Sequence, residues 1–226
     1  MIAIAIDGHS GSGKGELSKG LAKELNLKHL DTGAILRAMG LYFYRLDIKN
    51  PTTQDVENHY QSLNIVVKFE NDKQVTYLGA EDVSNEIRVE HIGQMASKVA
   101  VIEKAMRKMI DIAQEFANNY DCVMDGRNIT SEVLPNADVK FFLDASPECR
   151  ANRRLGDEKK KNPNAKFEDI LTSLIERDYR DVHRDFSPMI LTPDSIVVDN
   201  TNMTIEETID FCLTKSKEIL KKKGKI

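Results

Sequence analysis

Ile2-Ala3-Ile4-Ala5-Ile6-Asp7-Gly8-His9-Ser10-Gly11-Ser12-Gly13-Lys14-Gly15 is the stretch that decides the fold. Residues 2–6 are small or apolar throughout and read as a buried strand that runs straight into a glycine-rich loop. The amphipathic run Glu16 to Leu25 follows at once, with Leu17, Leu21 and Leu25 stacked at i, i+4 spacing. Gly8-x4-Gly13-Lys14 is the P-loop pattern. Its glycines let successive backbone N–H groups turn inward around phosphate oxygens, and Lys14 adds a point charge. The positive end of the following helix points at the same place. Strand, loop and helix in this order predict a site for a nucleoside triphosphate.

Outward from this stretch, strands and helices alternate. Asp31-Thr32-Gly33 precedes a second helix over about 34–46, with Thr32 or Asp31 as its cap. Residues 65–69 and 74–78 flank Asn71-Asp72-Lys73 and read as a β-hairpin inserted into the α/β chain. A helical stretch follows over about 89–119, broken near 101–103. Cys122-Val123-Met124-Asp125 and Val139-Lys140-Phe141-Phe142-Leu143 have the short apolar character of central parallel strands. Helices are expected over 147 to about 160 and 167 to about 184, parted by Asn162-Pro163-Asn164. A last strand at 195–199 and a closing helix at 205–222 complete the pattern. The predicted class is α/β: a three-layer fold of the P-loop NTPase type with a central parallel sheet and a small antiparallel insert. In such sheets ligands sit beyond the carboxyl ends of the strands. There stand Gly8 to Lys14, Asp31-Thr32-Gly33, Asp125-Gly126-Arg127 and Asp144-Ala145-Ser146.

The chain of 226 residues, 41% hydrophobic and 30% charged, is the size and composition of one ordinary globular domain. A formal net charge of -4 argues against a general basic field for nucleic acid. Cys122, Cys149 and Cys212 are odd in number and lack ligand spacing, so they read as reduced thiols. No leader or membrane-span pattern stands out, and a cytoplasmic location is expected. His9, His29, His59, His91 and His183 show no metal-ligand spacing, so no dedicated metal ligands are expected.

Arginine clusters outside the loop. Arg150, Arg153 and Arg154 share one predicted helix; Arg177, Arg180 and Arg184 share the next, interleaved with Asp178, Asp181 and Asp185. One reading is a pair of surface helices laced with ion pairs. The other is phosphoryl transfer, which asks the protein mainly for cations around the transferring group, and Arg forks grip phosphate bidentately. The polar segment 157–166 between the two helices reads as a lid or as a plain exposed loop. Asp7 reads equally as a turn cap or a site residue, and Asp125 as a Walker-B-like carboxylate near Mg²⁺ or its water shell.

The ordered set Asp7-Gly8-x4-Gly13-Lys14-Gly15, Asp31-Thr32-Gly33-Ala34, Asp82-Val83-Ser84-x-Glu86-Ile87-Arg88, Asp125-Gly126-Arg127, Phe141-Phe142-Leu143-x-Ala145-Ser146 and Arg177-Asp178-x2-Asp181-x2-Arg184 resembles bacterial cytidylate kinases from the first strand to the last helix. The resemblance implies a nucleoside monophosphate kinase in one domain. Its core would be 1–33, 90–150 and 171–226, its monophosphate-binding insert about 34–89, and its lid about 151–170. It implies ATP with Mg²⁺ as phosphoryl donor and CMP and dCMP as acceptors; with the charge balance and the lack of a membrane-span pattern, no nucleic acid or membrane partner is expected, and a monomer is expected. Gly8, His9, Ser10, Gly11, Ser12, Gly13, Lys14, Gly15, Glu16 and Arg150 would bind ATP, and Lys14, Arg153 and Arg154 would serve the transferring phosphoryl. Thr32, Arg37, Ser97, Arg107, Arg127, Asn128, Arg177, Asp181 and Arg184 would line the CMP pocket, Arg107 matching only if one extra residue is allowed after Ser97. Three positions depart from the family pattern: Glu16 replaces a usual Thr, Leu36 a usual Tyr and Asn128 a usual Asp. A kinase for another acceptor, such as UMP, AMP or a metabolite hydroxyl, and a low-turnover nucleotide-binding regulator remain the alternatives.

Overall fold

The computed structural model describes residues 1–70, 73–160 and 162–226. In chain order the elements are β1 (Ala3–Gly8), α1 (Lys14–Leu25), β2 (Lys28–Asp31), α2 (Thr32–Arg45), α3 (Thr53–His59), β3 (Ile65–Glu70), β4 (Lys73–Leu78) and β5 (Glu81–Asp82). They continue as α4 (Glu90–Val99), α5 (Glu103–Ala117), β6 (Cys122–Asp125), β7 (Val139–Asp144), α6 (Pro147–Lys159), α7 (Phe167–His183), β8 (Ile196–Asp199) and α8 (Ile205–Lys222).

β1 lies at the centre of a five-stranded sheet, order β2-β6-β1-β7-β8, in which each pairing is parallel. Such a strand must be apolar on both faces, since helices cover both. Ile4 and Ile6 enter one cluster with Leu17, Leu21, Val123, Phe141 and Leu220, beneath α1 and α8. Ala5 faces the other, with Leu30, Ile35, Met39, Met106 and Met109. Each fully buried large side chain here contributes about 1.5–3 kcal/mol. From β1 the chain reaches β2, returns through β6, and then crosses to β7. The strand order therefore reverses beside β1, the position where α/β sheets open a ligand crevice.

The second sheet, order β3-β4-β5, is antiparallel and contains the expected hairpin; its turn residues 71 and 72 lie outside the described residues. The helical stretch divides into α4 and α5 where a break was expected. β2 ends at Asp31, where a strand end was expected; β5, α3 and a π-helical turn over Ile129–Val133 carry no expectation. The larger cluster runs unbroken from α2 through Ile65 and Ile87 into α4 and α5, so the expected insert shares its core with the main sheet. Among the described residues no helix is long and apolar enough to cross a membrane.

Candidate active site

The loop after β1 is shaped by glycine and braced from behind. Gly8 has φ +145°, and a Cβ there would lie 1.9 Å from the Leu143 carbonyl oxygen of β7. Gly13 takes the left-handed conformation at the N-cap of α1, open to glycine at no steric cost. Ser10 N donates to Asp178 Oδ1 (3.0 Å), and Arg150 donates to Ser10 O (2.9 Å), Ala145 O (2.9 Å) and Asp178 Oδ2 (2.5 Å). Asn200 Nδ2 donates to Ser12 O (3.0 Å), and Arg153 in turn holds Asn200 Oδ1 (3.0 Å) and its carbonyl (2.7 Å). With these outer carbonyls engaged, the loop is held in place before any ligand arrives. Lys14 Nζ donates to His9 O at 2.7 Å and Ser12 Oγ at 3.4 Å.

Ser10, Gly11, Gly13, Lys14 and Gly15 line a cleft of about 1090 Å³. Among the described residues ten lysines and arginines but only three carboxylates line it, on a chain of net charge -4. Burial, and then Arg127, push the Lys14 ammonium well below its ordinary range. Burial and Arg127 likewise bring Arg177 down to about 10, and among the described residues its buried Nε has no acceptor. Arg127 Nε donates to Asp181 Oδ2 at 2.8 Å. Burial disfavours the Asp181 anion, but Arg127, Arg177 and Arg184 outweigh it and hold the carboxyl below its usual range. A cleft whose cations depress one another is built for a polyanion.

The opposite rim comes from β2, α2 and the insert. Asp31 caps α2 by accepting from Ala34 N (3.2 Å), and also accepts from Arg88 (2.6 Å) and Arg37 (3.4 Å). Burial opposes its ionisation, yet Arg37 and Arg88 prevail and its carboxyl stays below the usual range. Gln74 of β4 grips the same residue twice, accepting from Asp31 N (2.7 Å) and donating to Asp31 O (3.2 Å). The insert is thereby tied to the edge of the parallel sheet.

Of the expected site residues, Arg37, Arg127, Arg154 and Arg177 join the loop in the cleft. Arg154 also pairs with Glu90 at the start of α4. Arg150 and Arg153 stand behind the loop and face backbone and Asp178, not the cleft, because tertiary acceptors consume their donors. Arg184 is buried beside Asp181 and Arg127, donates Nε to Ser187 O (2.6 Å), and among the described residues its Nη2 has no acceptor. Thr32 Oγ1 donates to Asp125 O (2.9 Å). Ser97 Oγ accepts from Arg180 Nε (3.2 Å), and Asn128 Nδ2 donates to Ser187 Oγ (2.7 Å). Arg107 points outward, paired with Glu103 and set over the Phe186 ring, so the structure does not bring it to the cleft. Glu16 turns to solvent and pairs with Lys19 (2.8 Å), which removes its charge from the loop's interior. His9 Nδ1 lies 3.0 Å from Asp144 Oδ1. Asp7 is a cap: it accepts from Ile129 N (2.9 Å) and from the N–H and hydroxyl of Thr130 (both 2.7 Å).

Sequence reasoning assigns no role to Lys73, Gln74, Arg88 or His29, all of which line the cleft. Arg88 lies in the Asp-Val-Ser segment that carries the resemblance; the others offered no local signal. Asp125 lines the cleft and lies close enough to Lys14 to favour its charged form. Among the described residues no three His, Cys, Asp or Glu side chains gather as a metal cage. A lone carboxylate beside a phosphate loop fits a cation that takes its other ligands from water and phosphate, as Mg²⁺ does.

Comparison with known proteins agrees with this geometry. A family model described as cytidylate kinase matches residues 4–218. A cytidylate kinase of Caldicellulosiruptor bescii is 36% identical over 220 residues, covering 97% of each chain. One from Clostridium tetani is 38% identical over 227 residues, covering 100% of this chain and 98% of its own. Among solved structures, shikimate kinase from Bacteroides thetaiotaomicron matches with a TM-score of 0.50 at 14% identity, covering 97% of this chain and 98% of that one, a likeness of fold.

Proposed function

This chain belongs to the cytidylate kinase family, and from that premise we propose that it transfers the γ-phosphoryl of ATP to CMP or dCMP, giving ADP and CDP or dCDP. The observation that carries the reading is the cleft itself, where a braced phosphate loop faces a surplus of guanidinium groups across one space. Two polyanions must meet there, and one lysine does not neutralise both.

In the proposed reaction ATP lays its phosphates along Ser10 to Gly15, with Lys14 leaving His9 O for the phosphate oxygens. Arg37, Arg88 and Arg127 hold the acceptor phosphate, and Arg154 and Arg177 approach the transferring group. A CMP phosphate oxygen attacks the γ-phosphorus in line; the P–O bond to the ADP leaving oxygen breaks as the new one forms. The acceptor is already an anion, so no side chain needs to take a proton. Asp125 is the residue that would hold Mg²⁺, which when bound would supply positive charge to the nucleotide's phosphates. Residues 34–89 serve as the monophosphate-binding region and about 151–170 as a lid that excludes water from the γ-phosphoryl. The proposal includes a monomeric cytoplasmic enzyme acting on free nucleotides.

Initial rates of ADP formation with CMP, dCMP, UMP and AMP at fixed MgATP test the reading. CMP and dCMP are expected to give the highest kcat/KM. A rate with CMP no greater than ATP hydrolysis without acceptor contradicts it.

A further inference from the structure

His29 and Asp125 form a pair that the reading above leaves unused. His29 Nε2 lies 2.6 Å from Asp125 Oδ1, and the two side chains are 14% and 11% exposed. Both line the cleft. They stand on adjacent strands, where β2 pairs with β6 so that His29 lies beside Val123 and Asp31 beside Asp125.

The surroundings give this contact a purpose. Asp125 lies within electrostatic reach of both Lys14 and Arg127 and favours the charged form of each. A carboxylate so placed has every incentive to close onto one of them. Instead Lys14 donates to His9 O, Arg127 donates to Asp181, and Asp125 Oδ1 goes to His29. The Asp125 backbone is fixed as well, by Thr32 Oγ1 on its carbonyl (2.9 Å). Among the described residues Oδ2 of Asp125 has no protein partner. One oxygen is anchored, the other is not, and Asp125 lines the cleft.

We propose that His29 is a positioning residue for phosphoryl transfer: it holds Asp125 off Lys14, so that the lysine stays free for phosphate and the carboxylate keeps one oxygen for the metal–nucleotide complex. This rests on the kinase reading. Groups that orient a metal-binding side chain fix its rotamer and its basicity, and losing them typically costs about 10–100-fold in activity or metal affinity.

The test compares His29→Phe, which lacks a donor, with His29→Gln, which keeps one, in the full-length enzyme. His29→Phe is expected to lower kcat about tenfold while the KM for CMP moves less than about twofold. Calorimetry should show the preference for MgADP over metal-free ADP reduced about fivefold or more. His29→Gln should recover most of both quantities. Adding His29→Phe to Asp125→Asn should cost almost nothing further, because one residue acts through the other. Should His29→Phe not fold, His29→Asn, polar but too short to reach Asp125, carries the same expectation.

The inference is overturned if kcat and the MgADP preference stay within about twofold of wild type, or if the two substitutions act independently. It is equally overturned if lost activity merely follows a lowered Tm that His29→Gln shares. A wild-type enzyme that makes no ADP from ATP and CMP defeats the kinase reading instead, so the two failures are distinguishable.

Discussion

The arginines of α6 and those of α7 look alike in sequence and differ in what their donors do. On α6, Arg150 and Arg153 spend theirs on backbone carbonyls, Asp178 and Asn200, leaving only Arg154 at the cleft. Among the described residues Arg177 on α7 keeps Nε, and Arg184 just past its end keeps Nη2, buried without an acceptor. An unsatisfied buried donor costs about 1–3 kcal/mol. A cation held in that state marks a place kept for an incoming anion, whereas a saturated one marks a brace. The unmade hydrogen bond thus sets Arg177 apart from the braces Arg150 and Arg153 where charge and spacing do not.

The comparison can be broken at either end. Lys14→Met sets the scale, with kcat expected to fall about 10³-fold while the Tm changes little; near-normal phosphoryl transfer would remove the loop from the mechanism. Arg150→Met should act mainly on stability. It leaves Asp178 buried without its counter-ion, holding only the Ser10 N–H bond, and should cost about 3–5 kcal/mol in urea unfolding. A variant that keeps its stability but loses affinity for ATP would place Arg150 among the binding residues. Arg177→Met should do the reverse, lowering kcat about 10²-fold with stability unchanged or improved, since a costly buried donor is gone.

Acid unfolding sharpens the comparison by a smaller effect. The arginines around Asp181 depress its carboxyl in the folded state. Its stabilisation is therefore full above the unfolded-state value and is lost as pH falls through the lower folded one. The urea midpoint of the wild type should drop as pH falls below about 4, and the drop should be shallower in Asp181→Asn. Asp7 works in the opposite sense. Burial raises its pKa despite the Thr130 and Ile129 hydrogen bonds, so it does not add to this acid loss.

What was legible in the sequence is what depends on local order. α1 and α8 begin and end where periodicity places them, and of the two candidate caps of α2, Thr32 and Asp31, it is Asp31 that caps. β2 was legible only by its end at Asp31-Thr32-Gly33, because Lys28-His29-Leu30-Asp31 offers one apolar side chain and no β-branched residue; it is a strand because β6 lies beside it. The π-helical turn over Ile129–Val133 is held by Asp7, 122 residues earlier, and no local window contains that bond. α3 did carry a signal, the Thr52–Asp55 capping box. In the site, the glycine loop was readable because its chemistry is contiguous. Gln74, Arg88 and His29 reach the cleft only through the fold. The roles of Arg150 and Arg177 diverge through partners on other elements, which an interleaved charge pattern does not encode.

Arginine side-chain ¹⁵Nε–¹H spectra, recorded while the enzyme is titrated with an adenosine–cytidine compound joined by a phosphate chain, test this division most directly. The account predicts that the Arg177 and Arg127 signals move on binding while those of Arg150 and Arg153 hold their positions. Movement of Arg150 and Arg153 with Arg177 unmoved would contradict it.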